Sequence, residues 1–449
     1  MRQRIRSMLL ALALALSLGA VPVLADQTPQ PEPSAADPAE TEQTQTEEGE
    51  TAPAEGAEET EEAAPADSPA GPDQETTGEE LEIVPDPVGT VSFENLERRI
   101  REHNLQLLAL EENVASLEGM DYEAMQESLR KQLHTLAQGK WKLSQTQQGD
   151  SYAYAQLDQG YDALREQFDA IEDGELQKDN AGVIRQLKNL QDQIVMSGET
   201  LYMAIYAMET QEAALQRQLA AMNRTVEEME LRYELGQISA LQLQQTKSGR
   251  TSLVSGLETL QMNIRNYKLQ LEMLIGAELT GEIELGAMLS VTDQELEKMD
   301  EEADLAAAKE QSYEIYAAEQ TMEDAEDAYV ENMTAVLYIK DSVERTLEAA
   351  EYTYNASIQD YELRFRMLYA QVQDYRQILS AAQTALACEQ ASYAAQELKY
   401  QQGSISENTL LSARDTLQEA EETVESAKND LFSAYNSYCW AVEHGILNG

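Results

Sequence analysis

The sequence predicts an all-α protein built from duplicated long antiparallel coiled-coil hairpins. All 11 prolines of the 449-residue chain lie at or before Pro87, so nothing beyond that point carries the residue that most strongly interrupts a helix. Apolar residues beyond residue 250 recur in alternating steps of four and three, which is the spacing of a coiled-coil seam. The same rhythm precedes a short turn at 235–239, and two helices joined by so short a turn must pack antiparallel.

The first hairpin has one seam on each side of this turn. A single charged residue, Glu212, interrupts the seam of the arriving helix. The arriving seam consists of Leu201, Ile205, Met208, Leu215, Leu219, Met222, Val226, Met229 and Tyr233. The leaving seam consists of Leu253, Leu257, Leu260, Ile264, Tyr267, Leu271 and Leu274.

A second hairpin near the C-terminus echoes the first. Residues 398–406 repeat the pattern Tyr-x-x-Gly-x-Ile-Ser of residues 231–239, and residues 308–315 echo residues 100–107 more weakly. Both echoes occur in the same order, which favours a duplicated chain with repeats at 90–281 and 282–449. The alternative is that any two coiled coils look alike. The matched turn residues are Tyr233, Gly236, Ile238 and Ser239 in the first hairpin and Tyr400, Gly403, Ile405 and Ser406 in the second.

Composition limits the classes of function. With 42% hydrophobic residues but only 4 Phe and 2 Trp, the core must be made of Leu, Ala, Met and Tyr, which suits helix seams. A formal net charge of -52 argues against nucleic acid as a partner, because little could neutralise phosphates. Cys388 and Cys439 flank the second turn at unequal distances, so we expect no disulfide between them. Cys388 is assigned to the seam as a small core residue.

The N-terminal region predicts export. Residues 1–25 combine three arginines, an apolar run and a small-residue cleavage site, which is the pattern of a signal peptide. A retained membrane anchor is the alternative. Residues 26–89 are rich in Pro, Glu and Thr and contain no Lys or Arg, so they are predicted to form a disordered acidic linker. The linker could hold the folded part away from a surface, or could serve only solubility.

Several helix boundaries follow from local signals. A first helix opens at Ser92 and a second covers about 122–143, with breaks predicted near 148–150, 172–174 and 180–182. Residues 282–285 alternate in polarity and could form a short strand or a simple link. Residues 287–402 contain neither Gly nor Pro, which predicts one or two helices.

No catalytic or metal-binding pattern is visible. His103, His134 and His444 have no Cys, Asp or Glu at the spacing of a metal site or a catalytic triad. The sequence therefore predicts a protein that is not an enzyme and uses no cofactor or metal.

The folded part resembles the TolC family of outer-membrane efflux proteins. The resemblance covers about residues 91–445 and begins with the opening at 91–96 and His103-Asn104-Leu105. It continues with the two Tyr-x-x-Gly-x-Ile-Ser turns. The ends of the two halves are also similar to the family pattern, at Asn266-Tyr267 with 274–276, and at Tyr435, Tyr438 and Gly445.

The resemblance implies a homotrimer in which the helices form a barrel. An adaptor protein of an export pump docks on the hairpin turns in that family, so the eight matched turn residues become the expected docking tips. The chain resembles a variant without the family's β-barrel strands, since residues 156–171 read as helix and only 335–339 suggest a strand in the second half. We therefore expect no direct membrane span, with missed strands between 149 and 182 as the alternative. The charged gate positions of the family hold Gln242 and Ile405 here.

Two functions follow. The first is a TolC-like component of an export complex in the cell envelope, and in the outer membrane by resemblance, acting as a helical conduit or scaffold. The alternative is a cell-surface coiled-coil protein that links partners and transports nothing.

Overall fold

A computed structural model of the chain describes residues 86–146, 151–333 and 337–447. The predicted signal peptide and the linker up to residue 85 lie outside these described residues, as does the predicted break at 148–150. At the start of the described part, the Asp86 carboxylate accepts hydrogen bonds from Ser92 Oγ at 2.7 Å and Asn95 Nδ2 at 2.9 Å.

Long helices dominate the described residues, as the sequence predicts. In chain order they are α1 (Phe93–His103), α2 (Leu105–Glu118), α3 (Tyr122–Gln145), α4 (Tyr152–Glu172), α5 (Glu175–Glu234), α6 (Ala240–Leu274), α7 (Asp293–Glu297), α8 (Glu301–Gln311), α9 (Tyr313–Glu331), α10 (Leu337–Gln401) and α11 (Glu407–His444). Strand β1 (Thr90–Val91) pairs in parallel with β2 (Glu284–Leu285). Of the two interpretations of residues 282–285, the strand is therefore correct.

Two antiparallel hairpins form the body of the molecule, which confirms the predicted fold class. Helix α5 spans 60 residues and returns through α6, while α10 spans 65 residues and returns through α11. At about 1.5 Å per residue, the longer helices reach roughly 90 Å. The hairpins pack on each other along α5 and α11, where Arg217 pairs with Glu422 and Arg224 pairs with Asp415.

The predicted seams face inward, but burial is graded along each hairpin. On α6 the seam is half-buried at Leu253 and fully buried at Leu271. On α5 the side chain of Ile205 is fully buried, while Tyr233 beside the turn is 46% exposed. The apolar residues that recur in steps of three and four along α11 are all buried or half-buried. These residues are Leu417, Ala420, Val424, Ala427, Leu431, Ala434, Tyr438 and Ala441.

The core lies at the end of the hairpins remote from the turns. One cluster joins β1, α1, α5 and α6 and includes Leu96, Ile100 and Leu271, all fully buried. A second cluster joins α8, α9, α10 and α11 around Tyr361 and Phe365. The hydroxyl of Tyr202 donates to the carbonyl oxygen of Gly286 at 3.0 Å and so ties α5 to the residue that follows β2.

A polar residue interrupts the helix at equivalent places in the two halves. The side-chain oxygen of Asn104 accepts from the backbone N–H groups of Gln106 and Leu107, both at 3.0 Å, and starts α2. Ser312 Oγ accepts from the backbone N–H of Ile315 at 3.3 Å and starts α9. Asn and Ser are strong N-cap residues, so each ends one helix and begins the next without proline or glycine. The prediction of one helix between Ser92 and the helix at about 122–143 is therefore wrong, because α1 and α2 occupy that region.

The same capping corrects the prediction for residues 287–402. Those residues contain α7, α8, α9 and α10, instead of the one or two helices expected from the lack of Gly and Pro. Thr292 and Glu295 form a capping box at the start of α7, and Asp300 caps α8. Short polar side chains that accept backbone N–H groups thus divide this region, and the absence of Gly and Pro carries no information about such caps.

Two further expectations change within the helices. The predicted break near 180–182 is wrong, because α5 runs through these residues. The buried side chain of Asn180 does not form a turn, and its Nδ2 donates to the Tyr122 hydroxyl at 2.9 Å. The break at 172–174 is confirmed, with Gly174 at a φ of 80°.

Cys388 is exposed instead of lying in the seam, since α10 turns Ala382 and Leu386 inward at neighbouring positions. Both cysteines are free thiols, as expected.

No helix in the described part of the chain combines the length and apolar character needed to cross a membrane. Residues 152–182, where strands were the alternative interpretation, are helical throughout except at the short turn before α5.

A charged cluster joins the two ends of the folded part. The Asp192 carboxylate on α5 lies 2.9 Å from Arg101 Nη2 on α1 and 3.3 Å from His444 Nδ1 on α11. The hydrogen bond to Asp192 raises the pKa of His444 despite partial burial. Burial acts to raise the pKa of Asp192, but bonds from His444 and Arg101 outweigh it and leave that pKa below its ordinary value.

This cluster predicts a pH-dependent stability. A raised His444 pKa stabilises the fold fully below the ordinary histidine pKa of about 6.5, and the contribution is lost as pH rises through the folded-state pKa. Because the pKa of Asp192 is lowered in the folded state, its carboxylate stabilises the fold above the ordinary aspartate pKa of about 3.9, and this stabilisation is lost only as the pH falls into the acid range. We expect the free energy of unfolding of the wild type to exceed that of His444→Gln near pH 6, with the difference shrinking by pH 9. Urea unfolding at both pH values measures it, and a difference independent of pH would contradict it.

Candidate partner-docking tips

The first tip is the turn between α5 and α6. Gly236 has a φ of 72°, in the left-handed region where a side chain is disfavoured. The backbone N–H of Gln237 donates to the carbonyl oxygen of Arg232 at 2.8 Å, and the N–H of Gly236 donates to that of Tyr233 at 2.9 Å. These two bonds are the Schellman motif that closes a helix C-terminus.

The second tip repeats this geometry between α10 and α11. Gly403 has a φ of 71°. The N–H of Ser404 donates to the carbonyl oxygen of Lys399, and the N–H of Gly403 donates to that of Tyr400, both at 2.8 Å. The shared sequence pattern therefore corresponds to one backbone conformation used twice.

Serine starts the returning helix at each tip. Ser239 Oγ accepts from the backbone N–H of Gln242 at 3.3 Å, while Gln242 Oε1 accepts from the N–H of Ser239 at 2.9 Å, forming a capping box. Ser406 Oγ accepts from the N–H of Thr409 at 3.3 Å. Gln242, which stands where the resembled family places a charged gate residue, is thus committed to holding the turn together.

Large apolar side chains surround both turns and reach solvent. Ile238 and Ile405, the isoleucines of the shared pattern, are half-buried. The sequence analysis did not predict the exposed leucines that lie beside the turns outside that pattern. Their positions off the seam and next to a turn could have indicated them. The exposed residues are Leu231, Tyr233, Leu235 and Leu241 at the first tip and Leu398 and Tyr400 at the second.

Two ion pairs lie beside the first tip, and Glu234 next to the turn is exposed. Arg232 bonds Glu228 one turn back on α5, and Lys247 on α6 lies 2.7 Å from Glu230. Each tip therefore offers a partner exposed apolar side chains around a polar backbone turn, with a few charged side chains at its edge. Such surfaces bind partners through burial of aliphatic and aromatic groups.

The tips hold no catalytic arrangement among the described residues. Across those residues no group of three or more His, Cys, Asp or Glu side chains could hold a metal ion. His103 and His134 are exposed, and His444 is committed to Asp192.

Comparisons with solved structures give outer-membrane proteins. The outer membrane protein VceC from Vibrio cholerae is 16% identical, with 59% of this chain and 74% of VceC covered at a TM-score of 0.40. The outer-membrane channel OprN is 11% identical, with coverage of 78% and 90% and a TM-score of 0.44. CusC, whose structures describe transmembrane channel formation, is 13% identical, with coverage of 79% and 96% and a TM-score of 0.46.

These proteins are of the kind that the sequence resemblance indicates. At such identities the likeness concerns the fold alone. No protein-family model matches the chain, and no curated protein matches its sequence.

Two glycines with similar φ but different surroundings provide a test of the tip geometry. At Gly403 an added Cβ would meet nothing within 4 Å, so Gly403→Ala should lower the free energy of unfolding only through backbone strain, by about 1 kcal/mol. At Gly445, with a φ of 67°, the Cβ would lie 2.3 Å from the Ser312 nitrogen. Gly445→Ala should therefore cost about 2–4 kcal/mol.

Urea unfolding of the two variants and the wild type measures both costs. Gly236→Ala serves as a second tip variant, because its Cβ also meets nothing within 4 Å. A loss at Gly403 as large as the roughly 2–4 kcal/mol expected at Gly445 would show that the second tip does not leave an added Cβ in open space.

Proposed function

We propose that this protein is a TolC-like component of an export complex in the cell envelope, in which its two tips dock an adaptor protein of a pump. The observation that carries the proposal is the repetition of one apolar, glycine-centred turn at the ends of two long hairpins. A purely structural turn needs the glycine and the serine cap, but it gains nothing from solvent-exposed Leu235, Leu241 and Tyr400.

Half-covered helix faces support assembly of several copies. The α5 seam is only half-buried at Leu215, Leu219 and Met222, because one hairpin partner cannot enclose it. Apolar side chains also project from other faces of the returning and arriving helices. Exposed examples are Met262 and Met273 on α6 and Leu363 and Met367 on α10. We propose that neighbouring copies cover these faces in a homotrimer whose helices enclose a passive conduit.

The alternative function is a coiled-coil protein of the cell surface that links partners without transport. It shares the exposed tips but has no need of a closed ring of copies. The net charge of -52 keeps either form soluble and mutually repelling outside its specific contacts.

Charge placed at the tips should abolish adaptor docking. Ile238→Asp combined with Ile405→Asp puts a carboxylate into each apolar tip, where burial under a partner would desolvate it. In the producing organism, photo-crosslinks from position 241 should join the wild type to an adaptor subunit and be lost in the double variant. Leu105→Asp combined with Leu279→Asp, at two exposed leucines remote from the tips, is the matched control and should leave the crosslink intact.

Helix content of both variants is checked by circular dichroism. A crosslink that persists in the folded double variant would show that the tips are structural turns only.

The trimer makes a separate prediction about mass. Detergent-free native mass spectrometry of the exported chain should give three times the mass of one chain. Leu363→Glu with Met367→Glu should shift the sample to single chains, because two carboxylates would lie in the buried contact between copies. A wild-type monomer or dimer would favour the linking protein over the conduit.

A further inference from the structure

Within the described residues, the additional helical hairpin of α3 and α4 occurs in the first half only. Helix α3 runs antiparallel to α4 before the chain enters the long α5. In the second half, only residues 332–336 separate α9 from the long α10. Neither the tip geometry nor the assembly of the long hairpins explains this addition.

Helix α3 carries an exceptional distribution of charge. The chain has 83 acidic and 31 basic residues, yet no Asp or Glu lies between Glu127 and Asp150. Four basic residues lie in that stretch, and the histidine within it, His134, is exposed. They are Arg130, Lys131, Lys140 and Lys142. A local positive face in so acidic a protein selects for an anionic partner.

Three of the four cations remain available on the surface. Lys142 is exposed and makes no ion pair with any described residue. Lys131 pairs with Glu127 at 2.8 Å, but both side chains are mostly exposed, so the pair is weak and exchangeable. Arg130 is exposed while its guanidinium lies 5.6 Å from the centre of the Phe168 ring. Lys140 differs, since it pairs with Asp158 and faces the Tyr161 ring inside the hairpin.

Aromatic residues flank this basic face at the end of the hairpin. Trp141, between the two lysines, is 64% exposed, and Tyr152 at the start of α4 is 83% exposed. Both are largely exposed, whereas the contact between α3 and α4 uses small and aliphatic positions: Gly139 faces Leu157, and Gly160 faces Leu136. An exposed tryptophan beside lysines matches the membrane–water interface, where the indole ring lies among headgroups and cations meet lipid phosphates.

We propose that the outer face of α3 is a peripheral contact site for an anionic lipid bilayer. Trp141 inserts at headgroup depth, and Lys131, Lys142 and Arg130 bind lipid phosphates. The contact lies on the membrane and does not span it. At physiological salt, charges more than about 8 Å away are screened, so the acidic remainder of the chain does not prevent the local attraction. Because an anionic bilayer repels the acidic remainder of the chain, α3 is the part of the molecule that contacts the bilayer.

The proposal does not depend on the adaptor-docking tips. The turn at 235–239 follows the 60 residues of α5, which places about 90 Å of helix between the end of α4 and the first tip. A bilayer contact at α3 would leave both tips free to bind a partner in solution.

Trp141 itself provides the probe. The other tryptophan, Trp440, is 6% exposed and its Nε1 donates to Glu199 at 2.6 Å, so it gives a constant background. A Trp141→Phe variant of the full chain supplies that background for subtraction. Because residues 9–21 are apolar and can enter a bilayer themselves, total binding to vesicles is not the readout. Fluorescence is recorded with vesicles of phosphatidylcholine alone, with added phosphatidylglycerol, and with bromine-labelled acyl chains.

The expected result is a blue shift of Trp141 emission and quenching by the brominated chains, both confined to the phosphatidylglycerol vesicles. Lys131→Glu with Lys142→Glu should weaken this response at least tenfold, because cations near an anionic bilayer contribute individually to binding. Lys399→Glu with Arg414→Glu is the matched control. It changes the net charge equally at exposed positions of α10 and α11 and should leave the response unchanged.

Three outcomes would overturn the proposal. One is an unchanged Trp141 emission with phosphatidylglycerol vesicles. The second is an equal shift with phosphatidylcholine alone, which would make the contact non-electrostatic. The third is an equal shift with soluble polyphosphate and no quenching by brominated lipid, which would make α3 a polyanion site. Circular dichroism of each variant confirms that α3 and the rest of the fold are intact.

Discussion

A two-helix hairpin can cover an apolar seam from one side only, and the architecture of this protein follows from that limit. Where α1, α5, α6 and the β1–β2 pair meet, Leu271 and Ile100 lose all contact with solvent. Toward the tips the same seam has one neighbour fewer, and most of its residues stay half-buried or, at Tyr233, exposed. Most of the apolar area that stabilises the fold is therefore removed from water at one end.

The two halves meet this constraint by the same local means. Gly276 and Gly445 each end a returning helix with a positive φ and approach the backbone of the preceding break, at His103 and Ser312. No side chain fits there, so the close approach itself requires glycine. The halves then diverge at their tips, where only the first has a complete capping box.

The regular features of this fold were readable from the sequence because they repeat. The seven-residue rhythm and the confinement of proline to the N-terminal region specify the long helices, and Tyr-x-x-Gly-x-Ile-Ser specifies both turns. The single polar residues that divide helices could not be recognised from the apolar pattern. Asn104 and Ser312 divide helices without disturbing the apolar pattern, since the seam continues on both sides of them. A shift of two positions along α10 places Cys388 outside the seam and Leu386 within it.

Contacts between distant parts of the chain were also beyond the sequence. Nothing local connects His444 to Asp192, and the pairing exists only because α11 lies against α5. The tip residues of the shared pattern were predictable, whereas the exposure of Leu231 and Leu241 depends on how little of each helix the hairpin encloses. Sequence patterns thus indicate which residues face a partner helix but not how completely that helix covers them.

The gradient of burial along the hairpins implies a gradient of local unfolding. Backbone hydrogen bonds near the core open only when large apolar areas are exposed, while those beside Tyr233 and Tyr400 open at small cost. Each hairpin is therefore expected to open locally at its tip more readily than at the end where the core lies. Its last turns can separate and reclose while α1 and α8 stay packed, which gives the molecule adaptability at its ends without loss of its overall architecture.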